Sequence, residues 1–223
     1  MKAMHQRIEE QVGRWEILRK EQRKEKRLPV VTISREPGSG GRLVARAVAD
    51  RLGLDLFDQK LINAMAENAD TSTRVIRTLD ERGLSMIEDW VSAAISDRHL
   101  WPDEIFRVLM RVIGSIGRHG KAIIVGRGAN FVLPPENRFR ARIIAPLEQR
   151  VNRVSEAYGV SKKEAKRRVL HTESDRQAFV RIYFHSDISD QANYDMILNT
   201  KTLSVESAAG AICSALGELT QPR

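Results

Sequence analysis

Apolar and polar positions along this chain follow two rhythms, one of period two in short runs and one of three to four in longer ones. Met4, Ile8, Val12, Trp15 and Leu18 recur every three or four residues, which puts them on one face of an opening helix. Leu28-Pro29 ends that segment. The β-branched run over 30–34 predicts a buried strand, and a Gly-rich turn follows it at once. A helix is expected from Gly41 to Leu52, closed by Gly53. A short strand over 54–57 leads to Asp58, placed to cap a helix reaching about Asn68. Residues 71–98 read as helix in pieces with a break near Gly83. Pro102, Asp103 and Glu104 open a long helix that stops between Gly117 and Gly120. A buried strand over 122–125 exits through Gly126-Arg127-Gly128, and Pro134-Pro135 marks a loop. A strand over 139–145 comes next, then a helix from Pro146 to about Tyr158. Ser161 with Glu164 makes a capping box for a basic helix. A last strand is expected over 195–198, and Ser204 caps a final helix. Strands alternating with helices predict an α/β fold: a parallel sheet of about five strands with helices on both faces.

Composition narrows the class. The chain has 223 residues, 42% hydrophobic and 30% charged, which suits one sizeable globular domain with an appendage. The division drawn is a basic amphipathic helical arm over 1–28 and one domain over 29–223. The single cysteine, Cys213, lies in an apolar helical pattern and reads as a core thiol in a reducing compartment. No run is apolar enough to span a membrane, and the charged N-terminal segment is no secretory signal, so a cytoplasmic protein is expected. The net charge is +8, and residues 1–27 hold nine Lys/Arg against five Glu. Interleaved acids and the lack of an aromatic stacking series argue against nucleic acid as the partner. The apolar stripe of the arm instead asks for a docking surface, on its own domain or on a second subunit as a homodimer.

The chemistry concentrates after the first strand, in Ser34-Arg35-Glu36-Pro37-Gly38-Ser39-Gly40-Gly41-Arg42. Strand, Gly-rich turn and helix in that order present backbone N–H groups and the positive helix end to a phosphate. The loop departs from the G-x-x-x-x-G-K-[ST] pattern. With Gly40 as its sixth position, Arg35 replaces the first Gly, Gly41 the Lys and Arg42 the hydroxyl residue. Phosphate is expected on Gly38, Ser39, Gly40, Gly41 and Arg42, with Arg42 in place of the Lys and Ser39 the hydroxyl available to a metal. In a parallel sheet, ligands sit beyond the carboxyl ends of the strands. Asp58, Arg127 and the Asn199-Thr200 pair fall there, and Arg176 and Arg181 lie in the basic stretch before the last strand. Fork-shaped guanidinium donors suit phosphoryl transfer, whose transition state spreads charge over equatorial oxygens. The five histidines show no metal-ligand spacing.

Four further segments join that loop: Leu56-Phe57-Asp58-Gln59-Lys60-Leu61-Ile62, Ile124-Val125-Gly126-Arg127-Gly128-Ala129-Asn130-Phe131-Val132-Leu133, Tyr194-Asp195-Met196-Ile197-Leu198-Asn199-Thr200 and Leu203-Ser204-Val205-Glu206. In their order and spacing the chain resembles the cytidylate kinase-like family of P-loop nucleoside monophosphate kinases. The resemblance begins near Val30 and leaves out the arm. It implies a P-loop kinase fold with helical lid and substrate-binding insertions. It also implies transfer of the ATP γ-phosphoryl, with Mg²⁺, to CMP or dCMP. By the same resemblance, Arg42, Arg176 and Arg181 are catalytic, and Asp58 and Arg127 bind the acceptor. Cytidylate kinases carry Gly-Arg-Asp after the central strand, whereas this chain has Gly128 at the Asp position. The alternatives are a nucleotide-binding regulatory module with impaired catalysis and a kinase for another small molecule.

Overall fold

The computed structural model describes residues 2–21, 30–79, 81–95 and 104–220. The chain opens with helix α1 (Lys2–Glu21), followed by β1 (Val30–Arg35), α2 (Gly41–Leu52) and β2 (Asp55–Phe57). Four helices come next: α3 (Gln59–Glu67), α4 (Ala69–Arg77), α5 (Glu81–Ile95) and α6 (Glu104–His119). Then come β3 (Ala122–Val125), the short α7 (Ala129–Val132), β4 (Arg138–Ile144), α8 (Leu147–Tyr158), α9 (Lys162–Phe184), β5 (Met196–Asn199) and α10 (Val205–Thr220).

The five strands form one parallel sheet in the order β2-β3-β1-β4-β5, with β1 at the centre. Its strands are bounded by helices on both faces, so the period-two alternation divides two cores. Val31, Ile33, Ile123, Val125, Ala141 and Ile143 face α2 and α10. Val30, Phe57, Ala122 and Ile124 face α1 and the helices from α3 to α7.

Most helix boundaries follow from local chemistry. Gly53 closes α2 in the left-handed conformation at φ +60°. The Asp58 carboxylate caps α3 by accepting from the N–H groups of Lys60 and Leu61, and Ser161 accepts from Glu164 N. Three expectations need correction. Gly83 lies inside α5, and the chain breaks earlier, at Thr78, whose hydroxyl bonds back to the Val75 carbonyl at 2.6 Å. A four-residue helix, α7, follows Gly128 where only a turn was expected. The last strand starts at Met196, because Asp195 spends its carboxylate on the backbone N–H and guanidinium of Arg140. The expected elements at 28–29, 96–98 and 102–103 lie outside the described residues.

The stripe on α1 is covered within the chain. Ile8, Val12 and Trp15 are buried in the same core as α3 and α6, while Leu18 stays 46% exposed. Trp15 stacks on His119, with centroids 4.4 Å apart, and Glu9 and Glu16 ion-pair with Arg74 of α4. Three of the five apolar positions that motivated a second subunit, Ile8, Val12 and Trp15, are thereby satisfied by this chain's own core. Among the described residues, no helix is long and apolar enough to cross a membrane.

Candidate active site

The loop after β1 is held by bonds running inward. Glu36 N donates to Ile143 O at 3.0 Å, and the Glu36 carboxylate accepts from Ala145 N and pairs with Arg150. Ser39 is fully buried, with both its N–H and its hydroxyl turned to Glu36 O. Thr200, at the end of β5, donates to Ser39 O at 2.8 Å, and Arg153 of α8 donates to the Thr200 hydroxyl and carbonyl. Gly38 and Gly40 both sit at φ +79°. A Cβ on Gly38 would lie 2.5 Å from the Arg150 carbonyl, so the loop threads against α8 only as glycine.

With Ser39 turned inward, the N–H groups of Gly38, Gly40, Gly41 and Arg42 have no acceptor among the described residues. These four residues line a cavity of about 1140 Å³, walled also by Asp58, Lys60, Arg153, Arg167, Arg168 and Arg176. The hairpin of α8 and α9 roofs the cavity, joined by its own small core of Val151, Ala165 and Val169.

The cavity is strongly cationic. Arg176 reaches down from α9 and donates to the Arg35 carbonyl at 2.7 Å. Burial pushes Arg176 below the usual arginine range. Arg35 lies on the cavity wall at the end of β1, where desolvation, then the charges of Arg176, Arg42 and Arg127, lower its pKa to about 9. It stays cationic at neutral pH. Arg142 is buried one strand over, donating to the Ser34 and Tyr194 hydroxyls and, among the described residues, to no carboxylate. Three acids among those residues share the wall with these charges: Glu156, Glu36, which pairs with Arg150, and Asp58, which pairs with Arg42 at 2.8 Å. Buried cations without acids are costly in a free protein, and an anionic ligand repays them.

Residues 30–202 match the family described as the cytidylate kinase-like family. The chain belongs to that family. The cytidylate kinase of Ignicoccus hospitalis is 27% identical over 186 residues, covering 83% of this chain and 97% of that protein. The cytidylate kinase of Methanopyrus kandleri is 27% identical over 202 residues, covering 86% and 95%. A solved structure of an uncharacterised protein from Eubacterium ventriosum shares the fold with a TM-score of 0.71 at 22% identity, covering 86% of this chain and 99% of that one. The matched region starts at β1 and leaves α1 outside. The architecture of this cytidylate kinase-like chain is accordingly the P-loop kinase fold.

The fold brings Gly38, Gly40, Gly41, Arg42, Asp58 and Arg176 to one cavity. It does not bring Ser39 or Arg181 there. The Ser39 hydroxyl is sealed and committed to Glu36, so it presents no oxygen to a metal in the cavity. Arg181 is exposed, five residues beyond Arg176 and so on a different face of the same helix. Arg127 lies off the cavity wall at φ +58°, with its guanidinium over the Phe179 ring at 5.8 Å. The Gly at 128 has a local cause. Gly128 sits at φ +69°, where a side chain is strained, and a Cβ there would stand 2.1 Å from the Phe184 ring, which stacks on Phe131 and would have to shift.

Arg35 and Arg153 were not anticipated as site residues. A charged side chain closing the buried run of β1 was the available signal for Arg35. Nothing local announces Arg153, which the packing of α8 against Thr200 brings in.

Proposed function

We propose that this protein is an ATP-dependent nucleotide kinase that moves the γ-phosphoryl of ATP to a nucleoside monophosphate, CMP or dCMP. The observation that carries the reading is the cavity in which four unbonded loop N–H groups meet Arg42, Arg153 and Arg176, with Asp58 at the edge. The N–H groups and the α2 dipole suit the donor phosphates. Arg42 and Arg176 supply forked donors where charge develops during transfer. Arg127, beyond Arg35 from the loop, faces the acceptor half. Membership of a family whose relatives are cytidylate kinases supports the acceptor class. The chemistry belongs to residues 29–223, with the segment over 1–28 an appended helix.

The described residues hold no cluster of three metal-ligating side chains. Mg²⁺ needs none, because it keeps several waters and takes one or two carboxylates beside substrate phosphates. Asp58 fits that demand, with Oδ1 on the α3 N-terminus and Oδ2 on Arg42. Asp58 would hold Mg²⁺, which when bound would supply charge to offset the phosphates, and Arg42 would then turn from Asp58 to a phosphate oxygen.

The test is ADP release across CMP, dCMP, UMP, AMP and GMP, beside calorimetry of ATP with Mg²⁺. Turnover with CMP or dCMP supports the proposal. ATP binding without turnover on any acceptor supports a nucleotide-binding regulatory module, a reading favoured by the absence of the loop Lys at Gly41. Absence of ATP binding refutes both.

A further inference from the structure

We propose that Arg35 is the phosphate-binding cation of the loop, taking the place of the missing P-loop lysine, and that its presence is what excludes a side chain at position 41. The proposal rests on the kinase reading and assigns its donor site a residue that no motif names.

Three observations converge on Arg35. Among the described residues none accepts a hydrogen bond from its guanidinium, and its Nε is sealed from solvent as well. A cation so placed normally has an acid beside it. The charges that act on Arg35 are instead those of Arg176, Arg42 and Arg127, offset by Asp58, itself engaged by Arg42. The side chain therefore lacks the partner that a structural arginine would have, and it lines the cavity beside the unbonded N–H groups of the loop.

The second observation concerns Gly41, the position of the lysine. A Cβ there would lie 2.6 Å from Arg35 Cβ, 3.2 Å from its Cγ and 3.3 Å from Ile143 Cβ. The closest of these is the root of a side chain and cannot swing aside. The lysine at 41 and the arginine at 35 are thus mutually exclusive, whereas a glycine at 35 would remove the clash. The third is Gly126, at the end of β3. A Cβ there would stand 2.1 Å from an Arg35 terminal nitrogen, so the guanidinium occupies the space a side chain at 126 would take. The contact shows where the guanidinium rests, against the Gly126 backbone, while the exclusion of a side chain rests on Gly41 alone. Arg35 lines the cavity with the loop glycines, and its guanidinium rests at Gly126, next in sequence to Arg127. A fork at that point offers two parallel donors to the terminal phosphates of a nucleoside triphosphate, where lysine offers a point charge.

The experiment compares wild type, R35M, G41K and the double variant R35G/G41K, using ATP with Mg²⁺ and inorganic tripolyphosphate as probes. Binding is read by calorimetry and stability by thermal unfolding without ligand. R35M is expected to bind both probes at least about tenfold more weakly, the scale of one charged hydrogen bond. Its ligand-free melting temperature is expected to hold or rise, because an unpaired cation has been removed. G41K is expected to lose stability, and R35G/G41K to recover both stability and probe binding. Unchanged affinity in R35M, or a drop in its melting temperature with affinity intact, would show a packing role and overturn the proposal. A stable, binding-competent G41K would overturn the exclusion. If wild type itself binds neither probe, the kinase reading fails and the assignment of Arg35 falls with it. If wild type binds and R35M binds equally, only the assignment falls.

Discussion

Gly40→Val separates the backbone donors of the loop from the strain of placing a side chain there. Gly40 sits at φ +79°, where a residue with a Cβ costs about 1–3 kcal/mol, toward the upper end for a β-branched one. The space itself is open, since a Cβ would find only Arg153 Nη1, at 3.9 Å. The fold should therefore survive with a modest loss of stability. Binding should suffer more. Relaxing φ re-aims the N–H groups of Gly40 and Gly41, and each charged hydrogen bond lost is worth about 1.5–3 kcal/mol. Two lost bonds correspond to about 10²–10⁴-fold weaker ATP binding. Gly53→Val is the matched control. Gly53 also has positive φ, +60°, with nothing within 4 Å of its Cβ position, but it closes α2 at the end away from the loop. Calorimetry of ATP and urea unfolding on both variants should show similar destabilisation, with lost affinity for Gly40→Val alone. ATP affinity within threefold of wild type in Gly40→Val, at the expected stability loss, would refute the assignment of these N–H groups to phosphate.

Trp15→Ala should cost about 3–5 kcal/mol by urea unfolding, since Trp15 is 4% exposed and stacked on His119; a loss below 1 kcal/mol would mean that α1 contributes little to the fold. Thr200→Val keeps the shape but removes the hydroxyl that joins Ser39 O to Arg153, and should raise the ATP KM several-fold with circular dichroism unchanged. An unaltered KM would assign that hydroxyl to packing alone. Burial pushes the Cys213 thiol above its ordinary value, so its thiolate is scarcer in the native protein than in the unfolded chain at any pH below that value. Alkylation by iodoacetamide at pH 8 should be slower for native protein than in urea, and equal rates would contradict the burial.

The element order, the parallel sheet and the Gly-rich loop were legible in the sequence because they depend on neighbours along the chain. β1 announces itself by five consecutive residues fit for burial, α2 by Gly41 and Gly53 at its ends, α3 by an Asp58 that caps within three residues. The stripe on α1 was legible too, but not what covers it: helical spacing identifies an apolar face, and only packing shows that α3 and α6 complete it. Gly83 misled for a related reason, since its place inside α5 was set by packing and its propensity is a weak prior. The site divides in the same way. Gly38, Gly40, Gly41, Arg42, Asp58 and Arg176 could be nominated from local pattern. That Ser39 points inward, Arg181 outward and Arg127 over an aromatic ring depends on side-chain direction, which spacing does not encode. The incompatibility of Arg35 with a side chain at 41, and the resting of its guanidinium against Gly126, arise between residues six and ninety-one positions apart. They exist only where β1, α2 and the end of β3 converge. The sequence determined which charges the chain carries, and the tertiary structure decided which of them were left without partners.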